Sequence, residues 1–162
     1  MKRGNSFLPF VSLALALLLT IMPLPGMFDA WRPYWVALVM IYWHLESDHL
    51  RGLGHAFAIG IVLDLVTGTL LGQHALGLVV INFLVAKFRN RIRFFPPWQQ
   101  ALAVGALLFN ERIVQLWIIG LLQRGWPDWS WWLPPIAGML IWPWMFLLLD
   151  AARWRSRQSH SR

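Results

Sequence analysis

The sequence predicts an all-α integral membrane protein, a single domain over residues 1–162 built as a compact bundle of six transmembrane helices with short tails. Three observations predict it. Of the 162 residues, 58% are hydrophobic and only 13% charged, about half the roughly 25% charge of a soluble domain, and the mean hydropathy is +0.54. No Asp, Glu, Lys or Arg falls in 7–28, 33–45, 52–63, 65–86, 94–110, 113–123 or 129–149, and a spanning helix needs about 20 mostly apolar residues. The basic residues also divide unevenly between the two ends of the predicted spans. A soluble enzyme is excluded, and so is a disordered chain, which lacks this hydrophobicity.

The spans are read at about 7–24, 33–47, 52–68, 70–86, 98–122 and 131–149. Lys2 and Arg3 before the first span imitate a signal peptide, but no A-x-A-like cleavage site follows and Met22-Pro23-Leu24-Pro25-Gly26 reads as a turn, so the helix is expected to be retained. The second span offers only 13 uncharged residues, or about 20 Å of helix against a hydrocarbon thickness of about 30 Å. A helix that short is expected to sit against protein neighbours. With the N-terminus inside, the cytoplasmic side holds Lys2, Arg3, Arg51, Lys87, Arg89, Arg91, Arg93, Arg153, Arg155, Arg157 and Arg162. The outer side holds only Arg32 and Arg124, and Arg112 is left within a span. This bias places both termini in the cytoplasm. The net charge of +7 thus marks topology and contacts with anionic lipid, and no nucleic-acid partner is implied.

Twelve tryptophans gather near the span ends, at Trp31, Trp35, Trp43 and Trp98 and densely at Trp126, Trp129, Trp131 and Trp132. Most suit an aromatic belt at headgroup depth. The cluster over 126–132 is denser than anchoring requires and is a candidate partner surface.

Every fourth residue from 52 to 72 reads Gly52, Ala56, Gly60, Asp64, Gly68 and Gly72, a stripe of small residues on one helix face that would let another backbone approach closely. Asp64 is the exception within it. An intramembrane carboxylate must be protonated, paired or turned to a polar cavity. Bonds to Thr67 or Thr69 near the turn and contact with a partner helix or ligand both remain open. Span five carries Asn110-Glu111-Arg112 and Gln115. Glu111 and Gln115 share a face, and so polar a midplane cluster must face the bundle interior, a cleft or another subunit. Proton transport would need relay partners, of which the other spans offer only Asp64.

There are no cysteines, so disulfides, thiol nucleophiles and zinc–thiolate sites are excluded. His44, Glu46, Asp48, His49 and His55 gather near one loop, but a polar loop is the commoner explanation for such a group and no metal or cofactor is expected. No nucleophile–base set or phosphate loop is found, so an enzyme is not expected.

The run Gly60-Ile61-Val62-Leu63-Asp64-Leu65-Val66-Thr67-Gly68-Thr69-Leu70-Leu71-Gly72 resembles the G-x-x-x-D-L-x-x-G-x-x-L-G signature of the rod shape-determining MreD family. Arg32, Pro33 and Trp35 resemble the R-P-x-W of its proteobacterial members, and Trp98-Gln99-Gln100-Ala101-Leu102 and Trp142-Pro143-Trp144 resemble its motifs in spans five and six. The resemblance implies a multi-pass protein of the bacterial inner membrane, a non-enzymatic scaffold or regulatory subunit of the elongation complex. It further implies binding to MreC and, through the complex, to RodA, its transpeptidase and MreB, in support of lateral peptidoglycan synthesis and rod shape. It also implies a fold similar to the substrate-binding subunit of energy-coupling-factor transporters, and hence a competing function as a vitamin-like small-molecule-binding subunit. One departure is Arg112, which follows Glu111 where the family pattern has a lone acid, and implies a paired cluster. On this reading Gly60, Asp64, Gly68 and Gly72 form the face for a partner's helix, with Asn110, Glu111, Arg112 and Gln115 as an intramembrane polar cluster.

Overall fold

A computed structural model describes residues 7–23, 25–47, 52–122 and 125–158. Among these, every regular element is helical. They are α1 (Phe7–Ile21), the single turn α2 (Gly26–Asp29), α3 (Trp35–Glu46), α4 (Leu53–Thr67), α5 (Gln73–Phe94), α6 (Pro97–Leu121), a 3₁₀ turn (Trp129–Trp132) and α7 (Leu133–Gln158). Six of these helices have 12 residues or more, one in each predicted span. Two segments, Pro97–Leu121 and Trp129–Ser156, are long and apolar enough to cross a membrane, whereas α1, α3 and α4 are apolar but shorter.

The short helix is the centre of the molecule. All residues from 36 to 45 in α3 are buried, and α1, α5, α6 and α7 pack around it. A helix apolar on every side is stable only where every side is covered, so its 12 residues need not match the bilayer. The Trp43 indole N–H donates to the Ser12 hydroxyl (2.7 Å), tying α3 to α1.

The hairpins follow from local chemistry. α4 ends where Gly68 adopts a left-handed conformation (φ 66°), and its N–H donates to the Asp64 carbonyl. Gly72 is left-handed too (φ 97°) and opens α5. Glycine takes this region without the penalty a Cβ brings. Pro97 stands at the first position of α6, where the missing N–H would have no helical partner.

Two spans run longer than their uncharged stretches. The basic run Lys87, Arg89, Arg91 and Arg93 lies inside α5, where the sequence suggested a stop after residue 86. Lys and Arg are good helix formers, and here they are held: Arg89 Nε donates to the Leu45 carbonyl (3.0 Å), and Arg93 faces Glu46 (3.7 Å). α7 likewise runs past residue 149, and Arg153 reaches Glu46 with a hydrogen-bonded ion pair. Glu46 therefore joins the ends of α3, α5 and α7. Lys2, Arg3, Arg51, Arg124 and Arg162, together with Asp48 and His49 of the loop cluster, lie outside the described residues. Among the described residues no group of His, Asp and Glu is arranged to hold a metal.

Candidate functional site

The Gly60–Asp64 stripe is turned inward, onto the chain's own α5. A Cβ on Gly60 would lie 2.2 Å from the Ala75 Cα, so the close backbone approach foreseen for a partner's helix is made here by α4 and α5. Gly68 and Gly72 differ: a Cβ on either would meet nothing within 4 Å. Both stand at positive φ in the turn between α4 and α5, and within this chain the space beside them is open.

Asp64 is 1% exposed and fully engaged. Its Oδ1 accepts from the Thr69 hydroxyl (2.9 Å), the His74 N–H (2.9 Å) and the His74 ring Nδ1 (2.8 Å), and its Oδ2 accepts from the Gly72 N–H (2.7 Å). The first N–H groups of a helix have no partner within it, and Gly72 brings no side chain to cap them. Asp64 supplies the cap from the preceding helix, with its charge at the positive end of the α5 dipole. Of the two hydroxyls proposed from the sequence, Thr69 binds Asp64. Thr67 donates instead to the Leu63 carbonyl (2.7 Å) and lies 3.1 Å from the Thr69 hydroxyl. His74 was missed, because its pairing depends on the hairpin. The signal that points to it is a glycine N-cap with no acceptor of its own.

The α6 cluster divides as helix geometry requires. Glu111, 1% exposed, accepts a hydrogen bond from the Gln115 amide one turn on and packs against α5, where a Cβ on Gly77 would lie 2.9 Å from the Glu111 Cγ. Arg112 turns the other way. One of its Nη groups donates to the Gln115 Oε1 (3.2 Å), and its guanidinium lies over the Trp131 ring, 4.3 Å from the centroid. Asn110 stands apart, on a groove between α5 and α6 lined by Leu84, Phe88, Ile92 and Leu107.

The aromatic motifs also resolve by geometry. Trp131 holds Arg112, and Trp132 stacks on Phe109 with centroids 6.0 Å apart. Trp126 and Trp129 are 92% and 84% exposed, so only this half of the cluster is turned outward. Trp142 is fully buried, and its indole N–H donates to the Gln100 Oε1 (3.2 Å), so the motifs of α6 and α7 meet at one hydrogen bond, whereas Pro143 is half-buried and Trp144 is exposed. Arg32 donates to the carbonyls of Thr20 (2.7 Å) and Met22 (2.8 Å) at the end of α1 and pairs with Asp29 (2.9 Å). Pro33 is buried beside it, and Trp35 starts α3 half-buried.

The polar groups of α4–α5 and α6 converge. Thr67 and His74 from one side, Arg112 and Gln115 from the other, and Arg32 and Tyr34 from the segment before α3 line one cavity of about 120 Å³. Tyr34 packs edge-on against the His74 ring, with centroids 5.8 Å apart.

The sequence profile of the family described as rod shape-determining protein MreD matches residues 1–152. A relative from Haemophilus influenzae, described as rod shape-determining protein MreD, is 32% identical over 139 residues, which cover 86% of each chain. No solved structure matches the chain significantly. The chain belongs to the MreD family, whose role is in determining rod cell shape.

Proposed function

We propose that this chain is a multi-pass, non-enzymatic subunit of the bacterial inner membrane, with six spans and both termini cytoplasmic, that scaffolds the cell-elongation complex. It binds MreC directly and, through the complex, serves RodA, its transpeptidase and MreB in peptidoglycan synthesis along the side wall. The observation that carries this reading is the conformation of the family signature. Over 60–72 its glycines and aspartate form a closed hairpin, with Asp64 capping α5. Such a hairpin is a rigid support, and the partner helix meets its outer surface. Asp64 acts on that contact through the shape it imposes. Small-molecule transport is the weaker reading: the cavity where the polar groups converge, about 120 Å³, is well below the roughly 300 Å³ or more that drug-sized ligands occupy, and the larger groove between α5 and α6, about 370 Å³, offers only Arg91 and Asn110 as polar lining side chains.

The test is depletion in the native host, followed by co-purification. Rods that swell into spheres, recover with the wild-type gene, and yield MreC with the tagged protein support the proposal. Cells that stay rod-shaped but stop growing without one added nutrient would replace it with transport.

A further inference from the structure

We infer that the groove between α5 and α6 holds an anionic phospholipid, with one acyl chain along the groove and the phosphate at its basic end. The walls are two helix faces. Leu84, Phe88 and Ile92 recur one turn apart on α5, and Ala103, Ala106 and Leu107 lie opposite on α6. Along α5 the lining runs from Leu84 to Phe95, about 16 Å at 1.5 Å per residue. That is close to half of the roughly 30 Å hydrocarbon core, the share of one leaflet. The volume, about 370 Å³, decides what fits. A helix about 10 Å across would fill roughly 1,300 Å³ over that length, so the groove admits an acyl chain and not a partner's helix.

The charge selects the lipid. Arg91 lines the groove, and the Lys87 ammonium lies over the ring of Phe88, 5.8 Å from its centroid. Lys87 and Arg91 are four residues apart on one face of α5, and both are exposed. Neither has an ion-pair partner among the described residues, whereas Arg93 and Arg153 share Glu46 and Arg89 donates to the Leu45 carbonyl. Two uncompensated cations at one end of an apolar groove match a phosphate above an acyl chain. The flat guanidinium suits phosphate oxygens, and basic pockets between membrane helices bind anionic headgroups. Asn110, at the far end, keeps its Oδ1 sealed from solvent and takes no part in the recognition. This inference rests on the membrane placement proposed above and is independent of MreC binding.

The experiment uses the full chain, extracted from membranes and purified in a maltoside detergent. Native mass spectrometry reads the lipid it retains, and thermal unfolding is followed against phosphatidylglycerol or phosphatidylcholine in mixed micelles. Ala106→Leu fills the groove from an exposed position. Lys87→Gln combined with Arg91→Gln removes both free cations, and Arg155→Gln removes an exposed cation on α7. Wild type should retain phosphatidylglycerol, and its midpoint should rise more with that lipid than with phosphatidylcholine. The double variant should need about tenfold more phosphatidylglycerol for half-saturation, equivalent to about 1.4 kcal/mol. Ala106→Leu should lose the retained lipid, and both variants should unfold without lipid as wild type does. Arg155→Gln should change neither readout. Equal gains from the two lipids, an unchanged half-saturation in the double variant or retained lipid in Ala106→Leu overturns the inference. So does an equal loss in Arg155→Gln, which would mean a diffuse attraction. The chain has no cysteine, so Ala106→Cys offers a single thiol; a disulfide-linked dimer on oxidation of native membranes would put a second copy on the groove and overturn the lipid. A chain recovered without detergent would overturn the membrane placement itself, a result distinct from these.

Discussion

Removing the Asp64 carboxylate tests whether the residue works inside this chain or on a partner. Asp64→Ala deletes the acceptor of four hydrogen bonds, from Thr69, from the Gly72 and His74 N–H groups and from the His74 ring. Side-chain hydrogen bonds within membrane proteins average about 0.6 kcal/mol each, which sets a loss of about 2–3 kcal/mol. The two backbone N–H groups left without an acceptor at the start of α5 raise it, since a buried donor without a partner costs about 1–3 kcal/mol. A total of about 3–5 kcal/mol follows. Asp64→Asn keeps one acceptor oxygen but presents an amide N–H₂ to donors already in place, and should lose about 1–3 kcal/mol. At about 2–4 °C per kcal/mol for a chain of this size, the purified protein without any partner should melt roughly 10 °C lower as Asp64→Ala, with Asp64→Asn in between. The assay is detergent-solubilised thermal unfolding beside co-purification with MreC. Melting temperatures equal to wild type together with lost MreC would refute the reasoning, because the carboxylate would then be acting on the partner directly.

Other substitutions separate the roles of the glycines and of the ion pairs. Gly60→Ala places a Cβ 2.2 Å from the Ala75 Cα, and because backbone cannot yield as a side-chain tip does, a loss of about 1–3 kcal/mol should lower its accumulation in membranes. Gly68→Ala meets open space but keeps φ at 66°, so it should lose about 1–2 kcal/mol from conformation alone. Gly54→Ala, in open space within α4, should gain up to about 1 kcal/mol; equal effects at the two sites would contradict the left-handed turn. For Glu46 and Arg153, a double-mutant cycle of Glu46→Gln and Arg153→Gln should give a coupling of about 1 kcal/mol, and strictly additive unfolding energies would mean that the pair does not join α3 to α7.

Much of this protein is legible without coordinates. The charge-free stretches place all six long helices, since an apolar segment of that length must form a helix or leave its backbone groups unsatisfied. The shortness of the second span marks α3 as an interior helix, because it cannot face lipid on all sides. The spacing of Glu111 and Gln115 foretells their bond, as positions one turn apart must meet. The helix ends are less legible: Lys87, Arg89, Arg91 and Arg93 look like a stop signal, and only contacts with Leu45 and Glu46 carry α5 on to Phe94.

What the sequence by itself determined is the helical class, the number of long helices and the set of polar residues that cannot face lipid. Periodicity and hydropathy are local properties, and they act along one segment at a time. Only the tertiary structure decided what each polar residue meets. Four-residue spacing shows that Gly60 and Asp64 share a face but not which backbone lies on it, and here it is α5, with His74 and Gly72 as the donors. Likewise, one motif residue buries Trp142 against Gln100 while its neighbour Trp144 stays exposed. The physical reason is that a hydrogen bond or a close packing contact depends on positions several ångströms apart across helices, and those positions exist only once the helices have packed around α3.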